Sequence, residues 1–268
     1  MKTLSRIVAL AILLGGPPVL RGQDVAEEIK LAVEAKRDRD PARGLQHLEA
    51  ALALDSTSYE ATWRAADLLM DIGKQTPDSV KSPERDSLYA RAESLGHRAV
   101  ELNPDGGDGH FVLATAIGRA SLTKGSRERV RRAGEIRREA LRALELNPDD
   151  QRSYHVLGRW NAEIMRLSGL QRFFAKSFLG GKIFGAASWD SAIVYMDKAV
   201  ALAPEDIYNH LDLAEILIDR DRYREARIHL DQVATLPVVD VMDPAYKERA
   251  AFLTQEIANK KDKDEKGE

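Results

Sequence analysis

The sequence predicts an all-α solenoid of helical hairpins whose repeats are lengthened and irregular. Past residue 24, alanine, leucine, glutamate and arginine dominate, and apolar residues recur at spacings of three and four, as on the buried face of a helix. The same helix ending also occurs three times, as HRAVELNPD (97–105), LRALELNPD (141–149) and DKAVALAPE (197–205). A helical unit that cannot bury its apolar face alone predicts a stack of such units, with about nine or ten helices.

The spacing of the prolines that follow these endings predicts where the hairpins are lengthened. Pro204 and Pro237 are 33 residues apart, whereas Pro104 and Pro148 are 44 apart and Pro148 and Pro204 are 56 apart. We expect the residues in excess of a period of about 34 to lie between the two helices of a unit. Ten positions after the proline, each unit has a small residue that predicts close contact between the helices of a hairpin. These small residues are Ala114, Gly158 and Ala214.

The last unit resembles the tetratricopeptide repeat. Its small residues, its bulky apolar residues and its closing proline match that repeat at Leu213, Ala214, Tyr223, Ala226, Leu230, Ala234 and Pro237. The resemblance implies a tetratricopeptide-like helical-hairpin solenoid in which neighbouring hairpins share one core. We expect this domain to span residues 24–256, followed by a disordered charged tail at 257–268.

A narrower resemblance covers the stretch from Tyr154 to Ala250. The motif HVLGRW (155–160) is followed by a Leu-Ser-x-Leu segment, a Phe/Leu-Gly turn, a Ser-x-x-x-Ala helix start and an Ala-x-Leu-Pro close. This stretch resembles the regulator-of-microtubule-dynamics family, although GGKIFGAAS stands where the family has a proline pair after the turn. The resemblance implies a non-enzymatic helical-repeat scaffold. The eukaryotic members are named for microtubule association and mitochondrial contacts.

The N-terminus predicts export. Lys2 and Arg6 precede an apolar run of about 14 residues (7–20), which is shorter than the ~20 residues of a membrane span and in which Pro17 and Pro18 end any helix. We expect a signal peptide at 1–23 and a periplasmic protein, with an uncleaved N-terminal anchor as the alternative. Because an exported protein does not meet tubulin, we carry over the fold and the scaffold role of the family but not its partner.

The composition and motifs predict neither an enzyme nor a cofactor or metal protein. The chain has no cysteine, which excludes thiol catalysis and thiolate metal sites, and its net charge of -3 gives no general attraction to nucleic acid. It also lacks phosphate-binding glycine loops and the metalloprotease helix motif. His110, His155 and His210 recur in the first helices of three units. We interpret them as packing residues, because equivalent atoms of successive repeats are too far apart to bind one zinc ion.

Two further stretches are candidates for a surface that contacts a partner or a membrane. A basic helix face recurs at Arg127, Arg131, Arg138 and Arg142, and it suits either an acidic or anionic-lipid partner or a solvated face with local glutamate pairs. A second stretch, LQRFFAKSFLGG (170–181), carries apolar side chains on one side of a helix that two glycines end. It indicates either packing on the next repeat or an exposed patch for a partner or membrane surface. The aromatic residues of this stretch are Phe173, Phe174 and Phe178.

These observations predict a scaffold or adaptor of the cell envelope that binds another protein or peptide. The binding groove is expected along the first helices of the repeats, where polar side chains surround apolar anchors. The candidate groove residues are Tyr154, Arg159, Trp160, Asn209 and Asp212. The alternatives are a structural subunit of an envelope complex and a membrane-surface tether that uses the basic helix and the phenylalanine stretch.

Overall fold

The structure is a computed structural model that describes residues 18–168 and 184–262. Two 3₁₀ turns lie at Ser121–Thr123 and Phe184–Ala186, and the described residues contain no β-strand. Eleven α-helices are present in this part of the chain. They are α1 (Pro18–Arg37), α2 (Pro41–Leu54), α3 (Tyr59–Lys74), α4 (Pro83–Leu102), α5 (Gly107–Ala120), α6 (Ser126–Leu146), α7 (Gln151–Arg166), α8 (Trp189–Leu202), α9 (Ile207–Asp219), α10 (Tyr223–Thr235) and α11 (Asp243–Glu256).

The helices form successive hairpins in two layers. Each helix packs on the next one in the chain, as the repeated hairpin pattern predicts. Each odd-numbered helix also contacts the next odd-numbered helix, from α1 through to α11. The odd-numbered helices therefore form a continuous inner layer, and we call the surface that they share the inner face. The even-numbered helices lie against the outside of this layer.

The repeated sequence endings coincide with real helix ends. Helices α4, α6 and α8 each end at a leucine, and the next residue leaves the helical conformation just before Pro104, Pro148 or Pro204. Proline disfavours the helical conformation of the residue before it, which explains the stop. The predicted start of α8 is also confirmed, because the Ser188 side chain caps the helix by accepting a hydrogen bond from the Ser191 backbone N–H at 3.0 Å.

The small residues of the repeats allow the helices to approach closely. Ala114 and Ala214 are fully buried. A Cβ atom at Gly158 of α7 would lie 2.5 Å from Sδ of Met196 in α8, closer than real contacts allow. The extra length of the irregular units lies in three places: the 20 residues of α4, the 21 residues of α6 and the interval between α7 and α8, of which residues 169–183 lie outside the described ranges.

The core follows the solenoid as two large apolar clusters. The first joins side chains of α1 to α6, and the second joins side chains of α7 to α11. Smaller clusters around Trp160 and Leu157 connect them where α6 packs on α7. Such a division is expected of a repeat protein, because each unit buries its apolar face only on its neighbours.

The helical part extends further at both ends than the boundaries predicted from the sequence. At the N-terminus, α1 begins at Pro18. Proline is tolerated at the first position of a helix, because the N–H group that it lacks would have no partner within the helix there. At the C-terminus, Ile257 is fully buried, and the Arg227 guanidinium donates to the carbonyl oxygens of Ile257 and Lys260 at 2.6 Å. None of the helices in the described ranges is both long and apolar enough to cross a membrane.

Candidate binding site on the inner face

A pocket of about 230 Å³ lies on the inner face where distant helices meet. Its walls come from the end of α3 and the loop after it, from α5, α7 and α9, and from α11 with the residue before it. A larger hollow of about 520 Å³ lies between α1 and the start of α3, but fewer elements line it. The inner-face pocket is the stronger candidate because it joins charged and aromatic side chains from five helices. Its lining residues are Lys74, Asp78, Arg119, Arg159, Tyr208, Leu211, Asp212, Glu215, Met242, Tyr246 and Arg249.

Arg159 and Asp212 form the central ion pair of this pocket. Nη1 of Arg159 on α7 lies 3.1 and 2.9 Å from the two carboxylate oxygens of Asp212 on α9. Burial alone would raise the pKa of Asp212, but Arg159 and His155 more than offset it and lower this pKa to about 2. Nε2 of His155 is 2.8 Å from Asp212 Oδ2, although its N–H is not aligned for a hydrogen bond, so the contact is electrostatic. Asp212 is therefore a buried, fully charged group held between two helices.

Tyr208 links four inner helices through one side chain. Its hydroxyl oxygen accepts hydrogen bonds from Arg159 at 2.8 Å and from Arg119 of α5 at 3.4 Å. Its ring stacks on Tyr246 of α11 with the centroids 4.6 Å apart and the planes 6° from parallel. The Tyr246 pKa is raised, chiefly because the ring is buried and also because Tyr208 is close. The stacked pair gives the pocket a rigid aromatic wall.

A second cluster of alternating charges supports the pocket from the N-terminal side. Lys36 of α1 lies 2.5 Å from Asp67 and 2.9 Å from Asp71, and Lys74 lies 3.1 Å from Asp71. Burial opposes the ionisation of Asp71, but Lys74 and Lys36 outweigh it, so the Asp71 pKa is lowered. The two lysines thus balance the buried Asp71 and the half-buried Asp67, and the ion pair with Asp71 holds Lys74 at the pocket.

The structure separates the five groove residues that the sequence predicts. Arg159 and Asp212 line the pocket. Tyr154 lies outside it and faces α8, with its ring centroid 6.2 Å from that of Tyr195. Trp160 and Asn209 are buried: the Trp160 indole N–H donates to the Ala133 carbonyl of α6 at 2.7 Å, and the Asn209 amide binds Gln151 at 2.8 Å. Trp160 and Asn209 therefore hold neighbouring helices in place and are not accessible to a partner.

The three repeated histidines are buried and have separate partners. Nδ1 of His110 is 2.7 Å from Glu139, Nδ1 of His155 is 2.6 Å from Asn209, and Nδ1 of His210 is 2.9 Å from His229. Each side chain therefore packs inside its own unit or against the next one. Within the described ranges, no three His, Asp or Glu side chains come close enough to hold a metal ion.

The basic face of α6 is neutralised by local partners. Arg131 pairs with Glu128 at 2.6 Å, Arg138 with Glu135 and Glu139, and Arg142 with Asp105 and Glu145. Pairing on one helix face is what the alternative interpretation of this sequence predicts. The Arg127 side chain and the phenylalanines Phe173, Phe174 and Phe178 lie outside the part of the molecule that the structure describes.

Nine of the eleven lining residues were not predicted from the sequence, and four of these are aromatic or arginine side chains. Arg119 stands at the end of α5, Tyr208 at the start of α9, and Tyr246 and Arg249 on α11. None belongs to a motif that marks it in the sequence. The only available signal was their place on first helices of the repeats, which many other polar residues share.

Solved structures with a similar fold are tetratricopeptide-repeat proteins. A thermophilic TPR protein of Thermus thermophilus superimposes with a TM-score of 0.59 at 19% identity, covering 86% of this chain and 99% of that one. The pilF protein of Pseudomonas aeruginosa gives a TM-score of 0.53 at 14% identity, covering 89% and 87%. At such identities the likeness concerns the fold alone, and it confirms the predicted all-α tetratricopeptide-like solenoid.

Sequence relatives are regulators of microtubule dynamics. Protein 1 of Bos taurus is 24% identical over 208 residues, which are 77% of this chain and 64% of that protein. Protein 1 of Mus musculus is 26% identical over 150 residues, or 56% and 48%. This chain thus spans less than two thirds of these mammalian relatives. The family model for regulator of microtubule dynamics protein 1-3 matches residues 26–258. With a match over most of its length, the chain belongs to the regulator of microtubule dynamics family.

Proposed function

We propose that this protein is a non-enzymatic scaffold that binds a peptide segment of another protein along its inner face. The observation that carries the proposal is the pocket in which α3, α5, α7, α9 and α11 converge. Helical-repeat proteins use the surface shared by successive repeats to bind extended partners. The fold and the family both favour such a scaffold.

The pocket suits a partner because its groups are already fixed. The ion pair of Arg159 with Asp212 and the stacked rings of Tyr208 and Tyr246 are held by contacts within the chain. A partner that binds there does not have to order these side chains, so less conformational entropy is lost on binding. Aromatic and arginine side chains are also the residue types that contribute most to binding energy in protein interfaces.

We place this scaffold in the cell envelope, because the N-terminal sequence is typical of a signal peptide. The names of the relatives make tubulin a second candidate partner. Export would separate the protein from tubulin, and we therefore favour an envelope protein as the partner. A structural subunit of an envelope complex is compatible with the same fold. A membrane tether is disfavoured, because the described arginines of the basic face already pair with carboxylates.

Site-specific photo-crosslinking in cells tests the proposal. A photoreactive residue at Arg249, an inner-face position with 48% of its side chain exposed, should form covalent adducts with one partner protein. The matched control is Val194 on the outer helix α8, which is 64% exposed and should form few adducts. Equal adducts from both positions, or adducts from Val194 alone, would show that the inner face is not the binding surface.

A further inference from the structure

Arg119 differs from the other cations of the inner-face pocket in its pairing. Three of the four have a carboxylate oxygen within about 3 Å. They are Arg159 with Asp212 at 2.9 Å, Arg249 with Glu215 at 2.8 Å and Lys74 with Asp71 at 3.1 Å. Among the described carboxylates, Arg119 has only Asp78, at 3.6 Å, in the loop after α3. That aspartate is 51% exposed and also lies 3.9 Å from Arg85.

The guanidinium of Arg119 has unused hydrogen-bonding capacity. A guanidinium carries five N–H donors, and among the described residues that of Arg119 donates one hydrogen bond, to the Tyr208 hydroxyl at 3.4 Å. The side chain is only 21% exposed and lines the pocket, so it is held there and does not extend into solvent. Arg159 binds the same hydroxyl at 2.8 Å, which places two positive groups on one oxygen atom. An anion beside Arg119 would accept hydrogen bonds from its unused N–H groups and would balance the positive charge of the two guanidinium groups.

We propose that Arg119 binds a side-chain carboxylate of the partner peptide, which makes this pocket the acidic-residue subsite of the groove. This inference rests on the proposed peptide-binding function. A guanidinium can donate two parallel N–H bonds to one carboxylate, a geometry that its planar fork favours. Tyr246 lines the same pocket, and its hydroxyl makes no hydrogen bond with the residues in the described ranges, so we infer that it serves as a further donor.

The surroundings of Arg119 favour a monovalent carboxylate over a phosphate dianion. Asp78, Asp212 and Glu215 also line the pocket and repel any anion in proportion to its charge. The stacked rings of Tyr208 and Tyr246, with Leu211 and Met242, offer an apolar wall for the methylene groups of a glutamate side chain. The lining thus combines one under-paired cation with apolar surface, as a glutamate or aspartate of a peptide requires.

Selection from a random peptide library tests the proposal. The library displays peptides fused at their C-terminus, so that only side-chain carboxylates are available, and the full chain is the target. We expect wild-type protein to select peptides that share an acidic residue at one position, and Arg119→Gln to lose that preference. A selected peptide should bind at least about tenfold more weakly after either Arg119→Gln or Glu→Gln in the peptide, with little further loss from both together.

Controls separate a lost contact from a lost fold. Arg119→Lys keeps the charge but not the fork, so it should bind the acidic peptide with intermediate affinity. Arg98→Gln removes an arginine that is 48% exposed on the outer helix α4 and should not change binding. Circular dichroism of each variant should match the wild type. If Arg119→Gln is misfolded, Arg119→Lys replaces it in the comparison of the acidic peptide with its Glu→Gln form. The ratio of the two affinities should then be smaller than in the wild type, and an unchanged ratio would overturn the proposal.

The outcomes distinguish this inference from the function on which it rests. Wild-type selection of peptides that share no acidic position would overturn the Arg119 subsite but leave the peptide scaffold standing. Failure to select any peptide would contradict both. Binding of inorganic phosphate or phosphatidylglycerol vesicles that needs Arg119, with no binding of acidic peptides, would also overturn the subsite.

Discussion

At the scale of single residues, His229 of α10 shows how burial and a neighbouring imidazole shift a protonation equilibrium. Nδ1 of His229 lies 2.9 Å from Nδ1 of His210, and Nε2 of His210 lies 3.0 Å from the Pro204 carbonyl oxygen, which can only accept. His210 therefore donates through Nε2, and the two Nδ1 atoms share one hydrogen. Burial, and then the neighbouring His210, lower the pKa of His229 from its ordinary 6.5 to about 4.

This lowered pKa predicts a loss of stability in mild acid. Between pH 6.5 and about 4 the unfolded chain binds a proton at His229 that the folded chain does not, so the free energy of unfolding falls as the pH falls. The effect should reach about 2 kcal/mol, a figure reduced for the solvent that reaches part of the ring. The measurement is the urea midpoint at pH 7 and at pH 4.5 for the wild type and for His229→Gln. The pH dependence should be smaller in the variant.

His97→Gln provides the control for this experiment. His97 lies on α4 with 48% of its side chain exposed, so the substitution removes an imidazole without disturbing the His210–His229 contact. The nearby Glu225 opposes the effect at His229 by favouring the charged ring. An identical pH dependence in the wild type and in His229→Gln would contradict the assignment.

At the residue scale, the sequence predicted only part of the pocket. Arg159 and Asp212 were predicted to lie in the groove, and they meet there because α7 and α9 are neighbours in the inner layer. Trp160 is adjacent to Arg159 in sequence, but a helix turns its side chains by about 100° per residue, which directs Trp160 to α6. Arg119 joins the pocket only because α5 approaches Tyr208 of α9, and that approach depends on the curvature of the whole stack.

At the scale of elements, the distance between paired helices is set by glycines. A Cβ atom at Gly96 of α4 would lie 2.9 Å from the Leu113 Cα atom of α5, and a backbone atom cannot move aside as a side chain can. At Gly118 of α5 the nearest atom to such a Cβ is Cδ1 of Ile136, at 3.8 Å, which is an ordinary contact. The two glycines therefore have different roles, although both lie in helices.

Matched alanine substitutions should show this difference. We expect Gly96→Ala to destabilise the protein by about 1–3 kcal/mol, because α4 and α5 must move apart. Gly118→Ala should be neutral or stabilise the protein by up to about 1 kcal/mol, because alanine favours the helical conformation. The measurement is the urea midpoint of each variant. Equal losses for both would mean that helix spacing is not what Gly96 preserves.

The repeat elements were predictable because each hairpin carries its own start and stop signals. The leucine-to-proline endings of α4, α6 and α8 are local patterns, and the structure confirms them. The eleven helices of the described ranges exceed the nine or ten expected, and α1 already begins at Pro18. The tail also starts later than predicted, since Ile257 packs into the last cluster. Those ends depend on tertiary contacts that no local pattern records.

At the scale of the whole molecule, the inner layer curves so that α3 and α11 line one pocket. Lys74 of α3 lines the same pocket as Arg249 of α11, although α5, α7 and α9 lie between them in the inner layer. The pKa of Asp240, which precedes α11, reflects the same approach of α3 and α11. Burial raises this pKa, and the carboxylate of Asp71 on α3 raises it further. Contacts of this kind couple repeats that a simple stack would leave independent.

Tyr208 should therefore control the stability of the C-terminal end of the molecule. Replacing it with alanine removes the stacking on Tyr246 and both hydroxyl contacts, at a cost of about 2 kcal/mol for this half-buried ring. Tyr208→Phe keeps the stacking and should cost about 1 kcal/mol. Because α11 rests at the end of the solenoid, the loss should appear as faster hydrogen exchange of its backbone amides, while α1 and α2 keep wild-type rates. Uniformly faster exchange along all described helices would instead show that the solenoid opens as one unit.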